Sequence, residues 1–281
     1  MARGLVAWAA VMAMLLATAG CDHSSAQAGI PRPDHIVVVI EENRGYNDII
    51  GNPDAPYLNE LTRQGASLTQ FYAITHPSQP NYLALFSGST QGVGDNSCPH
   101  TLTARNLGSQ LLQADLTFVG YAQSMPHVGF TGCTSGAYVR RHNPWVNFSS
   151  LPASVNRPWT DFPRDFTDLP TVAFVIPDLE HDMHDGSVRQ ADTWLRDSLG
   201  DYANWARTHN SLLVVTWDED ESGGDQPNRI PTILVGEHVQ PGNHDQPNNL
   251  YGLLRTLLDA YDLKPLGHSA DADAVDVWPN D

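Results

Sequence analysis

Two apolar runs in this chain stop abruptly at acids. Ile36, Val37, Val38, Val39 and Ile40 lead into Glu41, Glu42 and Asn43. Leu212, Leu213, Val214, Val215, Thr216 and Trp217 lead into Asp218, Glu219, Asp220 and Glu221. Runs with no polar alternation predict strands covered on both faces, here at 36–40 and 212–217. Similar stretches predict strands at 117–121, 171–176 and 231–235. Apolar residues at helical spacing predict helices at 55–64 (Leu58, Leu61), 106–114, 192–208 (Leu195, Leu199, Tyr202, Trp205) and 250–261. A short helix is predicted at 81–87, after a proline-rich turn. Strands alternating with helices predict an α/β fold with a mostly parallel central sheet and helices on both faces. Residues 34–281 read as one domain. Within it 122–168, rich in Pro, Asn, Gly and aromatics, reads as a loop-rich cap over the site.

Acids at strand ends collect at the carboxyl edge of such a sheet, where α/β folds bind ligands. Clustered carboxylates raise one another's pKa unless a cation holds them. Composition narrows the partners. A 41% hydrophobic content excludes a disordered chain, and 281 residues suffice for one large core. The net charge of −17 argues against nucleic acid and against docking on anionic lipid.

The first residues read as a targeting segment, 1–28. Arg3 gives a positive start, and the apolar run 5–19 is too short to span a bilayer comfortably. Two exits compete. Thr18, Ala19, Gly20 and Cys21 resemble a lipoprotein box that would place a lipid anchor on Cys21, and Ala26, Gln27 and Ala28 resemble an ordinary cleavage site. Either predicts an exported protein, secreted, periplasmic or lipid-anchored at the cell envelope. In an oxidising compartment the remaining pair, Cys98 and Cys133, predicts one disulfide.

Four polar clusters carry the candidate chemistry. Glu41, Glu42 and Asn43 form a hard oxygen-donor set. In Thr75-His76-Pro77-Ser78-Gln79-Pro80-Asn81, Ser78 falls at a helix start, where free N–H groups favour a phosphoryl group, and can serve as a nucleophile. No G-x-S-x-G elbow is present. Asp178, His181, Asp182, His184 and Asp185 crowd one loop after a strand, with imidazoles able to bind metal, contact a phosphoryl oxygen or protonate a leaving group. Asp218 to Glu221 lack EF-hand spacing. Singly, each reads as solvated acids, a helix cap or a polar turn. Four such clusters in one chain make a shared site the better reading. His35, His100, His127, His209 and His268 read as isolated surface residues. Arg140, Arg141 and His142 read as a local basic spot that could meet a substrate's anionic end, with a salt-bridged surface the better reading, and Trp145, Phe148 and Trp159 as core.

These residues carry a resemblance. Val39-Ile40-Glu41-Glu42-Asn43-Arg44, Ser78-Gln79-Pro80-Asn81, Asp182-Met183-His184-Asp185-Gly186 and Thr216-Trp217-Asp218-Glu219 resemble, in order, the motifs of the phosphoesterase family of the alkaline phosphatase superfamily, especially its mycobacterial-type secreted acid phosphatases. The resemblance implies Ser78 as nucleophile and Glu42, Asn43, Asp218 and Glu219 as ligands of a divalent metal ion. Oxygen-rich ligation favours Mg, Mn or Ca. It places Asp182 and His184 near the phosphoryl group, with His184 at the leaving or anionic oxygen. Asn81 and His181 are implied on the substrate side. The implied activity is a metal-dependent acid phosphatase hydrolysing phosphomonoesters through a phosphoserine, phosphoinositides included. The partner is then a small phosphate ester or a phospholipid headgroup. A phospholipase C or other phosphodiesterase on the same core is the first alternative. A non-catalytic metal-dependent binding protein is the second, because Leu250 stands where many relatives carry His and only His244 is near enough in sequence to replace it. Asp178 also stands where close relatives carry Asn.

Overall fold

The strands form because their side chains leave water on both faces. Val37, Val38 and Val39 are fully buried in the strand His35–Glu41, each worth about 1.5–3 kcal/mol relative to exposure. This computed structural model describes residues 1, 29–221 and 227–279. Both expected cleavage sites and Cys21 lie outside the described residues. Among those described, no helix is long and apolar enough to cross a membrane.

Eight strands make one sheet, in the order Gly242–His244, Ala66–Leu68, Thr232–Gly236, Ser211–Trp217, His35–Glu41, Val172–Ile176, Phe118–Ala122 and Asn156–Pro158. His35–Glu41 is central and pairs in parallel with Ser211–Trp217 and Val172–Ile176. Thr232–Gly236 pairs antiparallel with both of its neighbours and is the one reversed strand. The mostly parallel α/β expectation therefore holds. The strands Ala66–Leu68 and Gly242–His244 escaped the sequence reading because each is only three residues long.

Helix limits follow local chemistry. Val188–Ala206 begins four residues earlier than expected because the Ser187 side chain accepts a hydrogen bond from the Gln190 N–H. Asn106 caps Leu107–Gln113 in the same way through Ser109. Leu250–Asp259 is capped by Asn249 and buries Leu250, Leu253, Leu254, Leu257 and Leu258. The expected helix at 81–87 extends back to Ser78, and all ten residues of Ser78–Ser87 are buried.

The excursion after Ala122 does more than cover the sheet, since Asn156–Pro158 adds an edge strand. Trp145 and Phe148 are core, as expected. Trp145 lies so close to the sheet that a Cβ on Gly120 would stand 2.1 Å from its ring, which leaves glycine as the residue that fits. The expected disulfide joins Cys98 to Cys133 with Cα atoms 5.9 Å apart, a normal span.

Candidate active site

Two adjacent strand ends and one helix start meet at Ser78, and a third strand leads into the loop beside Glu42. His35–Glu41 delivers Glu42, Ser211–Trp217 delivers Asp218 and Glu219, and Val172–Ile176 leads into the loop carrying Asp182 and His184. Ser78 opens the helix Ser78–Ser87, which no side chain caps. Its Oγ donates to Glu219 Oε1 at 2.9 Å and approaches Glu42 Oε2 at 3.3 Å. Both acids are thus fixed on one hydroxyl. Tyr82, one helical turn on, donates its hydroxyl to Glu42 Oε1, and His76 Nδ1 lies 2.5 Å from Glu219 Oε2. Asn43 is left-handed, with φ of 46°, and its backbone N–H donates to Asp218 Oδ1 at 3.2 Å.

The cluster carries more acid than it can ionise unaided. Burial holds Glu42 well above the usual carboxylate range, and the charges of Asp218 and Asp182 add to this. Burial and then Glu219 do the same to Asp218, and burial raises Glu219. Asp182 is pushed up to about 8, chiefly by burial. Among the described residues no group of three or more His, Cys, Asp or Glu side chains is placed so that it could by itself hold a metal ion. The donors nevertheless fit a hard cation. Asn43 Oδ1 and Asp218 Oδ2 are buried with no hydrogen-bond partner, and an orphaned buried oxygen costs about 1–3 kcal/mol. A divalent ion among Glu42, Asn43, Asp218 and Glu219 would satisfy both and let the acids ionise.

The other expected site residues take different places. His184 sits at the rim, its side chain partly exposed, with its backbone N–H on Asp182 Oδ1 at 2.8 Å and Arg141 Nη2 3.3 Å from its Nε2. His181 turns away to Asp178 at 2.8 Å and to the Trp194 ring, so it is not gathered with Ser78. Asn81 is buried and its carboxamide is fully used. Its Oδ1 accepts from the Ile74 and Thr75 N–H groups, each at 3.0 Å, and its Nδ2 donates to Thr75 and Pro77 carbonyls. It braces the turn that presents Ser78 and has no donor left for a phosphoryl oxygen. Leu250 is packed in the core, and His244 bonds Gln240 on the far edge strand, so neither brings an imidazole here.

An imidazole does arrive, from the cap. His142 is 1% exposed, with Nε2 3.2 Å from Glu42 Oε1 and Nδ1 3.4 Å from Asp182 Oδ2, neither contact aligned as a hydrogen bond. Its ring stacks on Tyr82 at 5.2 Å. Burial, then Arg141 and His184, hold its pKa well below the usual histidine value, so it is neutral. The expected salt-bridged surface at 140–142 is therefore wrong. Arg140 is buried on neutral acceptors, and His142 lies inside the site. A three-residue basic stretch gave no sign of this, because only tertiary packing turns it inward. Tyr82 was more legible, since it stands four residues after Ser78 on one helix face. A cap cavity of about 340 Å³ is lined by residues such as Arg140, Trp145 and Phe148, and Ser78 is not among them.

This sheet, with acids at its carboxyl edge, is similar in fold to a solved member of the alkaline phosphatase superfamily. A member of that superfamily from Vibrio parahaemolyticus superposes with a TM-score of 0.56 at 14% identity, over 87% of this chain and 71% of the other. The lipoteichoic acid synthase LtaP of Listeria monocytogenes gives 0.58 at 11% identity, over 84% and 73%. Within that fold the chain belongs to the phosphoesterase family, whose sequence pattern matches residues 52–264. It is 49% identical to a phosphatidylinositol-3-phosphatase of Mycobacterium tuberculosis, over 90% of this chain and 85% of that protein. It is 29% identical to a probable acid phosphatase of Kluyveromyces lactis, over 86% and 62%.

Proposed function

We propose that the chain is an exported phosphomonoesterase that uses Ser78 as nucleophile and a divalent cation, Mg, Mn or Ca, and that phosphoinositides fall within its range. The observation that carries this is the Ser78 hydroxyl, held at a helix start between carboxylates from two neighbouring strand ends. The named activities of the mycobacterial and yeast relatives support phosphomonoesters as substrates. The Cys98–Cys133 disulfide supports an oxidising compartment and hence export.

Ser78 Oγ attacks phosphorus as its proton passes toward Glu219 Oε1, to which it already points. The P–O bond to the leaving group breaks, leaving a phosphoserine, and His184, on the same loop as Asp182, would protonate the departing oxygen. Water then attacks the phosphoserine and frees Ser78 and phosphate. Glu42, Asn43, Asp218 and Glu219 would hold the cation, which supplies charge stabilisation of the transferred phosphoryl group. Tyr82 fixes the carboxylate of Glu42, and Asn81 fixes the turn that aims Ser78.

The test combines Ser78→Ala with a substrate panel of p-nitrophenyl phosphate, a phosphodiester analogue, phosphatidylinositol 3-phosphate and phosphatidylcholine. Wild type is expected to prefer the monoesters. Ser78→Ala is expected to lose at least about 10³-fold in kcat with an unchanged melting temperature. Near-wild-type turnover by that variant refutes the nucleophile, and preference for a diester refutes the substrate class.

A further inference from the structure

His142 is the point where the cap touches the site, and what holds it there is visible. Its ring fills the gap between the ends of two neighbouring strands. One nitrogen faces Glu42 at 3.2 Å, the other faces Asp182 at 3.4 Å, and one ring face lies on Tyr82. Tyr82 donates to the same Glu42 oxygen that His142 faces, while the other Glu42 oxygen meets Ser78. The backbone ties the two ends once, through the Glu42 N–H on the Asp182 carbonyl at 2.7 Å. The carboxylates beyond that tie have His142 between them.

Two residues earlier, Arg140 is buried without a carboxylate among its hydrogen-bond partners. It donates from Nη1 to the Thr131 carbonyl at 2.8 Å, from Nη2 to the His100 carbonyl at 2.9 Å and the Val146 carbonyl at 3.2 Å, and from Nε to Asn147 Oδ1 at 3.1 Å. Its backbone N–H donates to the Cys133 carbonyl at 2.9 Å. His100 and Thr131 each lie two residues from a disulfide cysteine, so one guanidinium grips both chains that Cys98–Cys133 joins. A buried charge satisfied only by carbonyls and an amide is expensive. Here it locks the turn Arg140–His142 against the cross-linked part of the cap.

We propose that His142 is a positioning residue that sets the carboxylates of Glu42 and Asp182, and that Arg140, seated beneath the Cys98–Cys133 disulfide, is the strut that holds it. This rests on the reading of Glu42 as part of the phosphoesterase site. Residues that orient metal ligands typically matter 10- to 100-fold in metal affinity or activity.

The test uses two substitutions that separate packing from polar contact. His142→Phe keeps the ring on Tyr82 and loses both nitrogens, whereas His142→Gln keeps a polar group and loses the ring. For each, Mn²⁺ affinity of metal-stripped protein is measured by calorimetry, and kcat and KM for p-nitrophenyl phosphate at saturating Mn²⁺. His142→Phe is expected to lose about 10- to 100-fold in Mn²⁺ affinity and in kcat, with KM little changed, and His142→Gln to recover most of it. Arg140→Met is expected to show the same pattern more weakly. A phenylalanine variant equal to wild type overturns the proposal, because ring packing is then all that His142 supplies. A glutamine variant no better than phenylalanine overturns it too. If Arg140→Met does not fold, the Phe–Gln comparison still decides. Wild-type protein that hydrolyses phosphate esters without binding Mn²⁺ would instead refute the cation reading, and the kcat values alone would then test His142.

Discussion

Removing divalent metal should make the fold sensitive to pH in a defined direction. Burial pushes Asp182 up to about 8, whereas in the unfolded chain an Asp titrates near 3.9. Between those values the native state holds a proton that the unfolded state has released, so stability falls as pH rises. Glu42 and Asp218, raised by burial and by their neighbours' charge, act in the same sense. His142 acts in the opposite sense. Its pKa is depressed by burial and by the nearby Arg141 and His184, so stability rises with pH up to its unfolded value near 6.5. The clean window is therefore about pH 6.5 to 8. Each proton difference contributes about 1.4 kcal/mol per pH unit, so Asp182 alone contributes roughly 2 kcal/mol across that window. For a chain of this size that is a fall of about 4–8 °C in melting temperature, and Glu42 and Asp218 enlarge it. The assay is calorimetric melting at several pH values, with chelator and with saturating Mn²⁺. With metal bound the acids stay ionised and the slope should flatten. A metal-stripped protein whose melting temperature is level or rising from pH 6.5 to 8 refutes the reasoning.

Three substitutions test the supporting geometry. Tyr82→Phe removes the hydroxyl on Glu42 and leaves a buried carboxylate short of a donor; a loss of about 1–3 kcal/mol in denaturant unfolding is expected, together with weaker Mn²⁺ binding by calorimetry. Asn81→Ala frees the turn before Ser78, and kcat for p-nitrophenyl phosphate should fall with little change in KM, because Asn81 touches the turn and not the substrate. Replacing both Cys98 and Cys133 with Ser opens a cross-link of sequence separation 35, which the chain-entropy relation puts at roughly 4 kcal/mol, measurable as a lowered denaturant midpoint.

What the sequence revealed was whatever is written in consecutive residues. The two apolar runs ending in acids are the central strand and its neighbour, paired in register from His35 with Ser211 to Glu41 with Trp217. That pairing brings Glu42 and Asp218 to one place. Ser78 was legible because proline and helix pattern meet there, although the helix starts three residues before its expected limit. Asn81 was legible as part of the site but not in its task, since its hydrogen bonds go backward to a turn whose shape no spacing reveals. His142 was hidden for a different reason. It is 64 positions after Ser78, in a stretch without regular periodicity, and its place depends on a disulfide and a buried Arg140 whose partners are backbone carbonyls. Carbonyl acceptors belong to every residue type and leave no mark in a sequence.

The charge of the chain sharpens what the site must do. A protein of net charge −17 repels a phosphate ester at long range, so steering by the whole-molecule field opposes encounter. Attraction has to be local and short-ranged. Arg141 is a positive group near Asp182, 3.3 Å from His184 and with a buried Nε that has no partner. Inside, Glu42, Asp182, Asp218 and Glu219 offer an anion nothing unless they are neutralised. Protons neutralise them without providing positive charge, whereas a divalent ion reverses the sign of the local field. Added salt therefore has two opposing effects on association: it screens the repulsion of the acidic surface, and it weakens the pull of Arg141 and a bound cation. Screening acts over about 8–10 Å at ordinary ionic strength and reaches buried charges far less than exposed ones. The repulsive surface loses more than the enclosed site does, so kcat/KM for an anionic ester should rise with moderate salt. An enzyme with a basic entrance behaves in the opposite way.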